Sequence, residues 1–324
     1  MSRMRMTRRA LGAAALVLPG LAGAQAFPDR PLRLIVPFPP GGPVDMAARL
    51  LAPAMGTLLG QQMVVENRSG AGGTVGIDAV AKAAPDGLTL ALGSTGAVAV
   101  NVNLVPNLPY DPRRDLAPVG LVTGVPSLLV LRPGLEVRNL EDLLAVARRQ
   151  PGRLTFASTG PGGTPHLAAE LLKLRAGIDI VHVAYRGAAP AITALMANEV
   201  DIAFLDLPVL LPHVREGKFR ALGLAAAARA PVLPEVPTMA EAGLPGVEVE
   251  NWYALIAPAR LPPDRMSVLS AALRGALAQP ELAERFLSQG ARVIGGGPEE
   301  AAQFIAAEME RWGEVVRRAN IRID

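Results

Sequence analysis

The sequence predicts an α/β protein of two lobes, each a mostly parallel sheet flanked by helices, with a ligand cleft between them. Three observations carry this. Short runs rich in Leu, Ile and Val alternate with alanine- and leucine-rich helical stretches, the pattern of parallel sheets whose ligands bind beyond the carboxyl ends of the strands. A unit of strand, Pro/Gly turn and proline-started helix occurs twice, at residues 33–45 and 154–167. The chain has 324 residues, 50% hydrophobic and 19% charged, enough for two cores.

In the first unit the strand 33–36 runs into a turn containing Pro39, Pro40, Gly41 and Gly42, and a helix opens at Pro43 with Asp45 in its first turn. Proline is pre-shaped for that position, and the glycines let backbone approach a ligand without side chains in between. A helix opened this way aims unpaired N–H groups beyond the strand and forms a small anion-binding cup. Residues 44–59 continue the helix to Gly60, 63–67 form a strand, and 68–74 form another glycine loop leading into a helix through Ala83. A third strand, 88–93, ends in Ser94-Thr95-Gly96. Residues 101–114, with their prolines and asparagines, predict a long connection. Residues 116–131 are strand-like, and the chain is expected to cross to the second lobe near 123–127.

The second lobe repeats the alternation. A helix at 139–150 is capped by Asn139, with acids in its first turn and Arg148 and Arg149 in its last. The second cup follows the strand 154–158, with Thr164 as the expected N-cap and Pro165 behind it. Strands are expected at 178–183, 201–206 and 222–224, helices at 165–175, 188–197 and 208–216, and a connection at 225–246. A strand at 250–256 and three helices at 263–278, 281–289 and 298–319 return to the first lobe. The expected division is therefore residues 27–124 with 250–324 as lobe 1, and 125–249 as lobe 2.

The N-terminus points to export. Arg3, Arg5, Arg8 and Arg9 precede an apolar stretch too short to span a membrane, and Ala24-Gln25-Ala26 fits a small-x-small cleavage site. Residues 1–26 are read as a signal peptide, of the Sec type or, from Thr7-Arg8-Arg9-Ala10-Leu11, of the twin-arginine type. The net charge of +3 comes from 32 basic and 29 acidic residues; losing those four arginines leaves 28 against 29, or −1. That balance gives no support for nucleic-acid binding. Without cysteines there are no disulfides or thiolate metal sites.

Motifs for phosphate-loop, serine-hydrolase or zinc chemistry are missing from the sequence, the histidines His166, His182 and His213 lack metal-ligand spacing, and no cofactor is expected. His166 either points into the cleft or packs at the helix end; His182 is expected to be structural and His213 exposed. Ser94, Thr95, Ser158 and Thr159 stand at strand exits as hydroxyl donors to a ligand or as helix caps. Arg186, after Tyr185, either pairs with a carboxylate or makes a surface salt bridge. Asp206 accepts from a ligand ammonium or hydroxyl, or caps the next helix. Asp45 is stabilising in a first turn but repels an anion unless it bonds the opposing loop or water. With aromatic residues at only 4%, sugar stacking is disfavoured.

These stretches together resemble the periplasmic substrate-binding proteins of the tripartite tricarboxylate transporter system, the Bug proteins. The matching segments are 36–45, 65–73, 85–90, 157–167, 182–187 and 237–246, whose order and spacing span almost all of the mature chain. The resemblance implies a periplasmic binding protein of type II fold that closes on a small carboxylate: a di- or tricarboxylate, an acidic amino acid or an aromatic acid. It implies ligand contacts at Phe38, Pro40, Gly41, Gly42 and Asp45 in one cup, and at Ser158, Gly162, Gly163, Thr164 and His166 in the other. Ser94, Thr95, Tyr185, Arg186 and Asp206 would line the remainder. Ala184 departs from the proline usual before Tyr-Arg-Gly, which loosens the inference for Arg186. The expected partners are the ligand and the membrane subunits of a transporter, with the protein a monomer. A sensor-kinase partner and a serine hydrolase using Ser94 or Ser158 are the alternatives; the hydrolase requires a base beside the hydroxyl.

Overall fold

The computed structural model describes residues 27–322, so the expected signal peptide lies outside the described residues. The chain begins with β1 (Leu32–Val36), α1 (Pro43–Leu59), β2 (Met63–Asn67), α2 (Thr74–Ala81) and β3 (Thr89–Ser94). β1 pairs in parallel with both β2 and β3, as the alternation requires. Gly60, in the left-handed conformation at φ +66°, ends α1. After β3 the chain does not enter a loop. A wide helical turn, Gly96–Val100, runs into α3 (Asn101–Leu104), and α4 (Pro112–Asp115) follows. The expected long connection is therefore helical at both ends. Asn101 is buried there, and its amide donates to Gly72 O and Thr74 Oγ1, both at 3.2 Å.

β4 (Leu116–Leu131) joins the two sheets. From Leu116 to Pro126 it pairs with the later strand at 250–258, and from Ser127 to Leu131 it pairs with two strands of the second sheet. Next come α5 (Leu140–Arg149), β5 (Thr155–Ser158), α6 (Thr164–Ala176), β6 (Val181–Ala184), α7 (Ala188–Met196), β7 (Ile202–Asp206), α8 (Leu207–Arg215) and β8 (Arg220–Ala225). Asn139 caps α5 by accepting the Asp142 N–H at 2.8 Å. β5 pairs in parallel with β6 and β7, and β4 runs antiparallel to β7 and β8. β9 (Glu250–Pro258) returns the chain between β3 and β4, antiparallel to both. Both sheets are thus mixed rather than mostly parallel. One linking strand leaves the first lobe and the other re-enters beside it, so the two must oppose each other.

The chain ends with α9 (Pro263–Leu277), α10 (Pro280–Ser288), β10 (Arg292–Val293) and α11 (Pro298–Arg318). Buried residues of α9 and α10, such as Leu273 and Phe286, share a core with Leu34, Leu51 and Tyr253 of the first lobe. α11 lies across both lobes: Met309 and Trp312 share one continuous core with Val98 of the first lobe and with Leu129, Phe156 and Leu172. At its centre the buried Glu308 Oε2 accepts the indole N–H groups of Trp252 and Trp312, each at 2.9 Å. Glu308→Ala strands two buried N–H donors, and we expect it to lower unfolding stability by about 2–5 kcal/mol in urea titration.

Candidate ligand-binding site

The two cups share one backbone plan. In the first, Gly41 is left-handed at φ +79°, Gly42 is the extended N-cap and Pro43 begins α1. In the second, Gly162 is left-handed at φ +74° and Gly163 is the extended N-cap, so Thr164 is the first helical residue of α6 rather than its cap. In each, the residue at the third helical position reaches back to the left-handed glycine. The Gly41 N–H donates to Asp45 Oδ2 at 3.0 Å, and the Gly162 N–H donates to His166 Nδ1 at 3.2 Å. Only glycine takes up this conformation at little cost, and the side chain ahead then fixes the loop.

The fixing groups differ in charge. Asp45 Oδ2 also accepts from Arg49 Nε at 2.9 Å, and its Oδ1 accepts from Asn67 Nδ2 at 2.9 Å. Burial pushes this carboxyl up, but the bonds from Arg49, Gly41 and Asn67 outweigh it and hold it below the usual range. His166 is buried and stacks on His182, with centroids 4.1 Å apart and planes 11° apart; His182 stacks in turn on Phe156 at 4.8 Å. Burial, with the His182 and Lys173 charges, holds His166 down to about 3, and burial with Lys173 holds His182 down to about 4. Both rings are therefore neutral at physiological pH.

A cavity of about 140 Å³ lies between the cups. An apolar cavity of similar size holds benzene, so the volume suits a small molecule. Of the sequence-expected residues, Phe38, Pro40, Gly41, Gly42, Ser94, Thr159, Gly163, Thr164, Arg186 and Asp206 line it. Arg186 stands exposed at the rim and makes no ion pair among the described residues. Asp206 occupies the N-cap position of α8 but its side chain makes no capping bond. Its Oδ2 instead accepts from Asn251 Nδ2 at 2.7 Å and Tyr253 OH at 3.3 Å, and burial pushes the carboxyl up to about 7 despite both bonds.

The other expected residues stand behind the lining. Asp45, Gly162 and His166 make the bracing bonds described above. Thr95 Oγ1 accepts the Trp252 N–H at 2.9 Å and ties the end of β3 to β9. Tyr185 donates its N–H to Ser158 O at 3.1 Å. Ser158 Oγ lies 2.6 Å from His182 Nε2, so the base that a hydrolase would need is within reach. That hydroxyl is fully buried and outside the cavity lining, however, and among the described residues no carboxylate bonds the ring's other nitrogen. His213 is half-buried rather than exposed, its ring tilted against Phe219 at 5.5 Å.

Sequence reasoning missed Gly72, Gly96, Asn251 and the first turn of α7, Ala188–Pro190, all of which line the cavity. A Cβ on Gly96 would sit 3.2 Å from Gly162 O, and one on Gly72 would sit 3.5 Å from Pro161 O. These glycines let the two lobes approach backbone to backbone. The available signals were the Ser-Thr-Gly strand exit and a polar Asn251 just ahead of the apolar run of β9.

The family model for the tripartite tricarboxylate transporter family receptor matches residues 47–321. The chain belongs to this receptor family. Among solved structures, Rpa4515 of R. palustris with adipate is similar at TM-score 0.88 and 35% identity, covering 91% of this chain and 99% of that one. MatC of Rhodopseudomonas palustris with bound malate is similar at TM-score 0.83 and 38% identity, covering 90% and 100%. The periplasmic binding protein BugD is similar at TM-score 0.86 and 32% identity, covering 91% and 99%. This chain therefore has the two-lobed periplasmic binding protein fold of its solute-binding relatives.

The buried histidines set an acid dependence. Their folded pKa values of about 3 and about 4 lie below the ordinary 6.5, so below pH 6.5 the unfolded chain takes up protons that the folded chain refuses. Stability is then full above pH 6.5 and falls as pH drops toward about 4. We expect on the order of 2 kcal/mol from His166 at pH 5 and less from the more exposed His182, where solvent screens the effect, and urea titrations of a His166→Asn/His182→Asn variant to show a correspondingly flatter loss between pH 7 and pH 5.

Proposed function

We propose that the protein is a periplasmic receptor that captures a small carboxylate between its lobes and delivers it to the membrane subunits of a tripartite transporter. The observation that carries this reading is the pair of mirrored cups facing one cavity from opposite lobes. In each, one amide is locked by the third helical residue and the other amides of the first turn remain unpaired donors. α7 and α8 also begin at this cavity, so four helix N-termini converge on it. Each favours an anion by about 0.3–1 kcal/mol when exposed, and more when buried. The adipate and malate bound by the similar proteins support a carboxylate as that anion.

The lobes in this reading are residues 27–124 with 250–324, and 125–249. Residues 1–26 direct export. The protein acts without catalysis, as a monomer. Ser158 and His182 then serve as a pin that holds the second cup on β5 and β6, and Arg186 is a rim cation drawn to the incoming anion.

Thermal shift against a carboxylate library tests the reading. A bound acid at a hundredfold excess over its Kd should stabilise by about 2.7 kcal/mol, seen as a rise of several degrees in Tm. Gly42 has an ordinary backbone conformation, and a Cβ there meets nothing closer than Pro39 O at 3.5 Å. Gly42→Ala should therefore keep the shift and Gly42→Asp should lose it, because a fixed carboxylate then occupies the cup. An undiminished shift in Gly42→Asp removes the cup from the binding site.

A further inference from the structure

The C-terminal halves of α6 and α11 flank a second concavity, a solvent-open groove of about 610 Å³ that shares no residue with the ligand cavity. Its floor is apolar. Leu171 and Trp312 are buried there, Val315 is half-buried, and Leu174 stands 46% exposed. A single exposed leucine is ordinary, but one set beside further apolar surface in a groove marks a contact face.

The rim is cationic. Arg175, Arg311 and Arg318 border the groove, with Glu314 as the one acid in its lining. Arg311 is held in place: its Nη1 donates to Glu308 Oε1 at 3.0 Å, its Nη2 donates to Glu248 O at 2.8 Å, and its guanidinium lies 4.9 Å from the Trp312 ring centroid. Arg318 pairs with Glu314 at 3.4 Å, but both side chains are mostly exposed, so water screens the pair. Arg175 makes no ion pair among the described residues, and Gly246 leaves it room, since a Cβ there would sit 3.1 Å from its guanidinium carbon. Without its first 26 residues the chain carries 28 basic against 29 acidic residues, so this rim is a local excess rather than part of a basic surface.

An apolar floor between cationic edges fits an amphipathic segment with apolar anchors and acidic flanks. A bilayer surface is too flat to fill such a groove. α6 carries the second cup at its N-terminus and this groove along its C-terminal half, so a partner seated here touches the helix that faces the ligand. We propose that the groove between α6 and α11 docks an acidic, apolar segment of the membrane subunits to which the receptor delivers its ligand. This rests on the receptor reading above and adds the face and the charge of the contact.

Fluorescence anisotropy of labelled helical peptides of about four turns tests it on the mature protein, with no carboxylate present. One peptide carries Leu on one face and Glu on the other; its counterparts carry Lys or Gln in place of Glu. The Glu peptide should bind about tenfold tighter than either counterpart and weaken as salt rises. Arg175→Glu/Arg318→Glu should cost the Glu peptide about tenfold and improve binding of the Lys peptide. The variant should keep its melting temperature and its thermal shift with carboxylates, because neither arginine lines the ligand cavity. No binding, equal binding of the three peptides, or a preference unmoved by the charge reversal overturns the proposal. Sedimentation with phosphatidylglycerol vesicles through these arginines, without peptide binding, also overturns it and makes the face a membrane contact. The two readings fail separately. Peptide failure beside a normal carboxylate shift removes only the groove, whereas wild-type protein that no acid stabilises removes the carboxylate reading whatever the peptides do.

Discussion

The geometry of the site depends on one hydrogen bond made twice, from the amide of a left-handed glycine to the side chain at the third position of the helix ahead. Gly41 gives it to Asp45 and Gly162 gives it to His166. The glycine turns the chain where other residues would be strained, and the helix, which is docked on a sheet, holds the acceptor still. The loop therefore inherits its rigidity from the core. The remaining first-turn amides point outward without partners because the helix has none to offer them. Donors fixed in this way need no reorganisation when an anion arrives, so little of the binding energy is lost to ordering.

The two acceptors are not chemically equivalent, and the difference keeps the site hospitable to an anion. A carboxylate beside an anion cup is an electrostatic liability. In the first cup Arg49 and Asn67 share Asp45 with Gly41, so its charge is engaged on the side away from the cavity. In the second cup the acceptor is a neutral imidazole, kept neutral by burial and by the His182 ring stacked against it. The stack also explains Ser158. Its hydroxyl ends a chain running Phe156, His182, His166 and Gly162, and it secures the strand end from which the loop departs.

The architecture was legible where local signals and global packing agree. The proline-started helices, the Gly60 stop, the Asn139 cap and the crossing strand at Leu116–Leu131 are all written in short stretches. The site was legible only as a place. Strand ends and glycine turns located the cups, but which side chains face the ligand depends on partners distant in sequence. Asp45 faces away because Asn67 arrives from β2, and Thr95 because β9 lies beside it. Residues 101–114 were misread because their prolines and asparagines are turn formers, whereas the buried Asn101 satisfies its amide on the Gly72 loop. The antiparallel direction of β4 and β9 was not legible, since an apolar run carries no sign of which way its neighbours point.

The polar cluster at the lobe crossing bears on how binding and closure are joined. β4 and β9 are antiparallel partners through the crossing, with register shifts between Pro118 and Gly120 and between Leu121 and Thr123. Any movement of one lobe against the other must bend these two strands. Thr95 fastens β9 to the first lobe at Trp252, while Asn251, one residue earlier, bonds Asp206 of the second. The side chain that lines the cavity thus sits on the strand that must bend. Asp206 and Asn251 meet between β7 and β9, and the glycine backbones of the two loops approach each other in the same arrangement. A ligand shifts the balance between two lobe arrangements only by binding one of them better, so contacts that draw on both lobes at once, as the lining of this cavity does, are the ones that couple binding to closure.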